Sequence, residues 1–314
     1  MSTPVAISGS RSAAILGVSD YSSTVQVWLE IMETRDPGFC ERNNYKYEKF
    51  EDNDQTAFGS AFEDAICEIV GGITDREKYY EDGYLTCHID GLKFIGTEYP
   101  DGRKFIELVL VENKTTSAQY FYSSFSEKLN RIPIGYMCQI QHNLYLTGLD
   151  KCMMNVLVFP KTVDQIIVET SLENIDCMKW TQVLKELGYL KTFIIERDDE
   201  LIKMMLDEYS TFWNKNILGG IMPDLQTLND FKSIYTNPKG TVIATEQVER
   251  WDAERKQLMA EKKDIDKRID QIKLLLCDYM RKADSVIDDE TREKTFLMSR
   301  DGRKLLQYDG GVVR

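Results

Sequence analysis

Three side chains around a predicted β-hairpin have the types and spacing of a hydrolytic metal site. Asp90 lies eleven residues before Asp101, and Glu112 lies eleven residues after it. Asp101 sits in a Pro-Asp-Gly turn, so the two carboxylates are expected to face each other across adjacent strands. Lys114 follows Glu112 by two residues and shares its strand face. Carboxylate oxygens suit Mg²⁺, and the ammonium group can position or deprotonate an attacking water.

The strand context favours this interpretation over a surface hairpin with ordinary charges. Residues 109–111 (Val-Leu-Val) are continuously apolar, as in a strand covered on both faces. The charged residues arrive abruptly where that run ends, and Thr115 adds a hydroxyl just beyond them. The hairpin is therefore the first candidate for chemistry.

Helices before and after the hairpin supply further candidates. Glu63 lies on a helix predicted over 58–70, where it is either another metal carboxylate or a solvated residue. Tyr136 and Gln139 share one face of a later helix, and Gln141 lies on another face. These polar residues are either site groups or the wet side of an amphipathic helix.

Phosphate contacts have three candidates of their own. Ser10 and Arg11 stand at the start of a short predicted helix, where hydroxyls and backbone N–H groups can bind an anion. Such serines also serve as simple helix caps. His88 precedes Asp90 by two residues, so it either contacts a phosphate or is a partly exposed sheet residue.

Composition restricts the class of protein. The chain has 314 residues, 42% of them hydrophobic. It has no apolar run long enough to cross a membrane and no signal-peptide pattern, so a cytoplasmic location is expected. Seven scattered cysteines and two histidines argue against a disulfide framework, a zinc site or a Ser-His-Asp triad. The net charge of −13 opposes non-specific nucleic-acid binding, although a local basic channel is compatible with it.

The order of predicted elements indicates an α/β (α+β) fold. A mixed central sheet flanked by helices is expected in residues 1–225, with apolar strands such as 152–159 and an amphipathic helix over 198–217. Residues 222–241 have the composition of a linker. From Val242 onward apolar residues follow a near-heptad pattern, so residues 226–314 are interpreted as a linker and a helical or coiled-coil extension that ends in a short hairpin.

The joint order of these residues resembles the YqaJ-type viral recombinases, the phage lambda exonuclease-like branch of the PD-(D/E)xK nucleases. The resemblance covers roughly residues 5–225. The sequence blocks that carry it are Ile7-Ser8-Gly9-Ser10 through Gly17, Phe58 to Glu63, Ile89-Asp90-Gly91, Glu112-Asn113-Lys114-Thr115-Thr116-Ser117 and Tyr136 to His142. Ile89 and His88 depart from the family's usual Pro and small residue, and residues 1–6 lack the basic residue that the family often places there.

The resemblance implies a restriction-endonuclease-like core and a role for each matched residue. Asp90, Glu112, Glu63 and the carbonyl of Asn113 would bind Mg²⁺, with Mn²⁺ as a substitute. Lys114 would activate the water. Gln139 would orient the nucleophile or a metal-bound water, and Ser10 would contact a terminal 5′-phosphate. Arg11, His88, Thr115, Tyr136 and Gln141 complete the expected DNA- and phosphate-binding set.

The expected activity is Mg²⁺-dependent DNA hydrolysis, as 5′→3′ resection of double-stranded ends in phage or prophage recombination. The resemblance also implies a ring-like trimer, and a single-strand annealing protein is a candidate partner. A ring would concentrate basic residues on its inner wall. Two alternatives stay open: an endonuclease on the same fold, and a catalytically idle module that binds DNA ends or proteins. The related RecB-type nucleases often carry an iron–sulfur cluster, but these cysteines lack its spacing.

Overall fold

A computed structural model describes residues 5–49, 54–74, 79–98, 104–161, 165–166, 170, 174–236, 241–280, 285–287, 294–298 and 305–307. The chain divides into two compact units, residues 1–236 and 237–314. No helix among the described residues is both long enough and apolar enough for a membrane crossing.

The first unit contains eight strands and nine helices among its described residues. The strands are β1 (Ile7–Ser8), β2 (Ile73–Thr74), β3 (Tyr79–Asp82), β4 (Leu85–His88), β5 (Gly91–Glu98), β6 (Lys104–Ser117), β7 (Lys151–Phe159) and β8 (Leu190–Glu196). The helices are α1 (Ser12–Ile15), α2 (Thr24–Arg35), α3 (Phe39–Arg42), α4 (Asp54–Ile69), α5 (Ala118–Ser124), α6 (Ile134–Thr147), α7 (Cys177–Glu186), α8 (Asp199–Thr211) and α9 (Leu228–Ile234). A 3₁₀ turn (Gly9–Arg11) precedes α1, and a π-helical segment (Phe212–Leu218) follows α8.

The central sheet has the strand order β2-β5-β6-β7-β8. Its strands pair antiparallel except for β6 and β7, which run parallel. This confirms the predicted fold class, a mixed central sheet flanked by helices. A smaller sheet, β1-β4-β3, belongs to the same unit.

Helices cover both faces of the central sheet, which explains why its inner strands are apolar. On one face, Phe58 and Phe62 of α4 pack with Leu157 of β7. On the other face, Ile140 of α6 packs with Leu110 of β6. Helix α6 follows Pro133 and ends at Gly148, whose φ of +69° gives the helix its left-handed C-cap. This helix carries three of the predicted site residues.

Two predictions about the elements are wrong. His88 and Asp90, which were expected on one strand face, do not share a strand, because the chain leaves the small sheet after His88 and enters the central sheet at Gly91. Residues 222–241 are not wholly linker, because α9 belongs to the first unit. Its Asp230 is fully buried and accepts a hydrogen bond from Ser23 of the α2 cap. The turn at Asp101 lies outside the described residues, as does most of segment 166–169, for which the sequence also predicts a strand.

The described part of the second unit begins with a long helix, α10 (Glu246–Met280). It is followed by β9 (Ser285–Ile287), β10 (Lys294–Met298) and β11 (Leu305–Gln307), which form an antiparallel sheet with β10 in the middle. Helix α10 is continuous over its whole length, as the near-heptad pattern from Val242 onward predicts.

Candidate active site

The candidate site forms where β6 runs past the end of its neighbour β5. Strand β5 begins at Gly91, opposite Val111, whereas β6 continues beside β7 as far as Ser117. The next position in this register places Asp90 opposite Glu112, which confirms the pairing predicted about Asp101. Because β5 has no residue left to pair there, the backbone N–H of Asn113 donates to the Asp90 carboxylate at 2.6 Å.

Glu112 is the centre of the site. Its carboxylate is buried and accepts hydrogen bonds from Lys114 on the same strand face and from two amides of α6. Gln139 donates to one carboxylate oxygen at 2.9 Å, and Asn143 donates to the other at 3.4 Å. Gln139 and Asn143 are four residues apart, so one face of α6 presents both. A buried carboxylate needs such donors to remain charged.

Burial and repulsion between carboxylates control the charge at this point. Burial raises the pKa of Glu112 to about 7, with further increases from the negative charges of Asp90 and Glu63, although the ammonium of Lys114 opposes the shift. For Lys114, burial lowers the pKa, but the carboxylates of Glu112 and Asp90 outweigh burial and raise it. Lys114 is therefore an ammonium group at neutral pH.

A chain of hydrogen bonds holds Asn113 on the opposite face of β6. The Asn113 amide donates to the backbone carbonyl of Glu63 on α4 at 3.2 Å. Its oxygen accepts from Asn155 of β7 at 3.1 Å, and Asn155 in turn accepts from Thr192 of β8 at 3.0 Å. Both asparagines are buried. The chain crosses three strands and fixes both Asn113 and the segment of α4 that carries Glu63.

The donor types of this site fit a divalent cation. Asp90, Glu112 and Glu63 offer hard carboxylate oxygens, and the ammonium of Lys114 opposes their mutual repulsion. The side chains do not converge in this conformation: among the described residues no three Asp, Glu, His or Cys side chains surround one point. The reason is visible at Glu112, whose oxygens are turned toward Lys114 and the amides of α6.

The turn before α1 packs so closely on α6 that a side chain would disturb the site. A Cβ atom on Gly9 would lie 2.6 Å from the Asn143 amide oxygen and 3.3 Å from Cγ of Gln139. Real Cβ contacts are almost never as short as the first of these distances. By contrast, a Cβ on Gly59 of α4 would lie 3.5 Å from the Thr115 hydroxyl, an ordinary contact. The glycine that the site requires is Gly9.

The two residues near α1 that are predicted to bind a phosphate, Ser10 and Arg11, differ in exposure and in their hydrogen-bond partners. Ser10 is exposed, and its hydroxyl lies 3.0 Å from that of Ser8. Arg11 is only 8% exposed, and its guanidinium group bonds both carboxylate oxygens of Glu30, at 2.8 and 3.2 Å. In this conformation the buried guanidinium group serves an ion pair within the protein, and phosphate binding by Arg11 stays a prediction.

Gln141 and His88 do not lie beside Asp90 and Glu112. Gln141 is buried on the far face of α6, where it donates to the carbonyl of Glu196 at 2.8 Å and accepts from the N–H of Asp198 at 2.9 Å. It fastens the connection between β8 and α8. His88 is exposed on β4, and its ring centre lies 5.1 Å from that of Tyr79. Strand β4 ends at His88, so His88 does not share a strand with Asp90.

Tyr136 and Thr115 lie close to the site. The Lys114 ammonium is 5.8 Å from the centre of the Tyr136 ring, which adds a cation–π contact. Thr115 is half-buried on β6 and faces Gly59 of α4. The structure thus brings together Asp90, Glu112, Asn113, Lys114, Tyr136 and Gln139, with Glu63 at the neighbouring helix.

Two residues that shape the site, Asn143 and Asn155, are absent from the set predicted from the sequence. Both had a signal. Asn143 lies one helical turn after Gln139, on the same face of α6. Asn155 interrupts the otherwise apolar run 152–159, and a polar residue in a buried strand must find a hydrogen-bond partner.

Comparison with known proteins agrees with the resemblance found in the sequence. Residues 4–150 match the model of the YqaJ-like viral recombinase domain. The chain is 27% identical over 229 residues to the uncharacterized protein YqaJ of Bacillus subtilis (strain 168), a match that takes in 70% of this chain and 56% of that protein. This chain thus spans little more than half the length of that curated relative.

Two solved structures are similar in outline. The alkaline exonuclease LHK-Exo from Laribacter hongkongensis is 16% identical, with a TM-score of 0.45, over 68% of this chain and 89% of that one. A phage-related exonuclease from Haemophilus somnus 129PT is 18% identical, with a TM-score of 0.42, over 69% and 96% of the two chains. The match of the family model leads to one statement of similarity: residues 4–150 of this chain are similar to the YqaJ-like viral recombinase domain.

Proposed function

We propose that this chain is a Mg²⁺-dependent deoxyribonuclease that degrades double-stranded DNA from its ends, in the 5′→3′ direction, during phage or prophage recombination. The observation that supports this most is the position of Asp90, Glu112 and Lys114 beside one another where β6 runs past the end of β5, with Gln139 bonded to Glu112. The match of residues 4–150 to the YqaJ-like viral recombinase domain supports the same proposal.

The metal would be held by oxygen atoms of the chain. Asp90, Glu112 and Glu63 would supply carboxylates, and Asn113 would supply its backbone carbonyl. When bound, Mg²⁺ polarises a phosphoryl oxygen and lowers the pKa of water.

The other site residues act through charge and position. Lys114 remains an ammonium group while Glu112 and Asp90 are ionised, so it can donate a hydrogen bond to an attacking water or to a phosphate oxygen. Gln139 and Asn143 hold the Glu112 carboxylate in one orientation, and Asn155 holds Asn113. These groups reduce the reorganisation that hydrolysis would otherwise need.

The DNA end would be recognised near α1. Ser10 and Ser8 line a cavity to which Tyr21, Lys46 and Lys232 also contribute. We assign the terminal 5′-phosphate to the hydroxyl of Ser10, with Thr115 and Tyr136 as contacts nearer the scissile bond. Arg11 lines the same cavity but is ion-paired with Glu30, so we assign the phosphate contact to Ser10 first.

The deciding experiment is degradation of linear duplex DNA with Mg²⁺, compared with covalently closed circles and with 5′-hydroxyl ends. We expect loss of linear DNA, no cutting of circles, slower attack on 5′-hydroxyl ends and no activity in EDTA. Cutting of circles would instead assign an endonuclease. Full activity of Lys114→Ala would remove the proposed site, and calorimetric Mg²⁺ binding to the parent chain and to Asp90→Asn tests the metal separately from activity.

Assembly and partners stay predictions from the resemblance. A ring-like trimer is tested by the mass of the purified chain. A single-strand annealing partner is tested by co-purification from cells that express both proteins. Neither outcome changes the assignment of the hydrolytic residues.

A further inference from the structure

Helix α10 presents an apolar seam to solvent. Trp251, Leu258 and Ile265 are 60%, 55% and 59% exposed. Large apolar side chains repeated along one side of a helix are typical of a surface that binds another helix. The helix is continuous from Glu246 to Met280, so it cannot fold back to cover this seam with its own residues.

The seam follows a heptad pattern over four repeats, residues 248–275. We define it by two sets of positions. The first set, at heptad position a, is Val248, Arg255, Lys262 and Ile269. The second set, at position d, is Trp251, Leu258, Ile265 and Ile272. Position d is entirely apolar, whereas position a has two basic residues in consecutive repeats, a pattern sustained long enough for a coiled coil.

These basic residues argue against a parallel pair of identical helices. In a parallel pair, position a meets position a of the partner, so Arg255 would face Arg255 and Lys262 would face Lys262 in adjacent core layers. In an antiparallel pair, position a meets position d, so Lys262 would face Ile265 of the second copy and Arg255 would face Ile272. Their aliphatic stems can then cover apolar surface while the charged ends reach water.

The charged residues that flank the seam also favour antiparallel pairing over parallel pairing. In a parallel pair, Glu261 would lie against Asp266 and Arg268 against Lys273, which places like charges together twice. In an antiparallel pair centred between Lys263 and Asp264, Glu261 lies against Arg268 of the second copy. These flanking charges select pairing orientation in coiled coils.

A second flanking contact agrees with that register. Asp252 of one copy lies against Lys273 of the other, and the two-fold symmetry makes each contact occur twice. Arg255 already sends its guanidinium group toward Asp252, at 2.6 Å, and so away from the apolar seam. The side chain at this polar core position is thus arranged to leave room for the apolar residue of a partner helix.

We propose that α10 is an antiparallel self-association helix, and that its occupant is α10 of a second copy of this chain. The pairing places Leu258 against Ile269 of the second copy, on either side of the central layer formed by Lys262 and Ile265. A two-fold pairing doubles the mass of whatever particle the rest of the chain forms. This inference does not depend on nuclease activity.

The test measures the mass of the full chain by sedimentation over a range of concentrations. We expect Ile265→Glu to halve the particle mass while the helical circular dichroism signal is retained. The matched control, Lys263→Glu, changes the charge on the neighbouring outer position and should leave the mass unchanged. An equal mass for the parent chain and Ile265→Glu would overturn the proposal.

Charge exchange tests the orientation. Glu261→Arg and Arg268→Glu should each weaken association by about tenfold, because both symmetric contacts change from attraction to repulsion. The double exchange should restore it. Parallel pairing predicts the opposite, because Arg at 261 would face Asp266 and Glu at 268 would face Lys273. Stronger association of either single variant would therefore overturn the antiparallel arrangement.

Discussion

Acid should destabilise this protein through His142, a buried residue of the helix that holds the candidate site. The Nε2–H of His142 donates to the carbonyl of Thr86 at 2.9 Å, and Nδ1 is buried without a hydrogen-bond partner among the described residues. Burial lowers the pKa of His142 to about 4, and the carbonyl of Thr86 offsets only part of this effect. The imidazole is therefore neutral in the folded protein and must gain a charge to be protonated.

The magnitude follows from the difference between the folded and unfolded pKa. An unfolded histidine titrates near 6.5, so the unfolded chain binds the extra proton first as the pH falls. The contribution of His142 is fully present above pH 6.5 and is lost progressively as the pH falls toward 4. A shift of this size corresponds to about 3 kcal/mol in total, and to about 2 kcal/mol at pH 5.

The assay is urea unfolding at pH 7.5 and pH 5, in EDTA, for the parent chain and for His142→Gln. Glutamine can still donate to the Thr86 carbonyl but does not titrate, so the variant should lose about 2 kcal/mol less on acidification. Glu112 acts in the opposite sense, since a carboxyl with a raised pKa favours folding in acid, but it is present in both proteins. The matched control, His88→Gln, keeps the acid loss because His142 is intact. An equal acid loss in the parent chain and His142→Gln would refute the reasoning.

Three further predictions concern the packing of the first unit. Gly9→Ala should lower the initial rate of hydrolysis at least tenfold, because its Cβ would displace the Asn143 amide. Gly59→Ala should keep that rate and stabilise helix α4 slightly, which thermal unfolding of the two variants measures. Asn155→Val should lower the free energy of unfolding by about 1–3 kcal/mol, measured in urea, because it leaves buried polar partners unpaired. Asp230→Ala should lower the free energy of unfolding by about 3 kcal/mol, because the carboxylate accepts hydrogen bonds from the α2 cap and from two backbone N–H groups. The Tm should fall accordingly, and an unchanged Tm would contradict the anchoring role of Asp230.

Local constraints made much of the fold predictable. The pairing of β5 with β6 is symmetric about Asp101, so counting residues outward from Asp101 is enough to match Asp90 with Glu112. The break between β4 and β5 was not predictable in the same way. It depends on β1 and β3, which pair with β4, and β1 comes from a distant part of the sequence. Helix α9 was missed because its stability comes from a capping box and a long-range bond to Ser23 rather than from periodicity.

In the candidate site, too, local contacts were predictable from the sequence and long-range contacts were not. The contact between Gln139 and Glu112 agrees with the order of sequence blocks, and helical spacing could have added Asn143. The role of Arg11 depends on Glu30, nineteen residues away, which no local pattern reveals. Sequence shows that a cation is present. Only the folded chain shows whether its charge is already neutralised.

The pairing of β6 with β7 has a consequence for the folding order of the molecule. The β5–β6 hairpin is local and should form early, so it brings Asp90 and Glu112 together at small entropic cost. Strands β6 and β7 run parallel, so they pair only after the crossover through α5 and α6 has closed. That crossover carries Gln139 and Asn143. The carboxylates therefore meet before the amides that hold Glu112 arrive, and a chain still being synthesised should hold an incomplete, inactive site until β7 has docked.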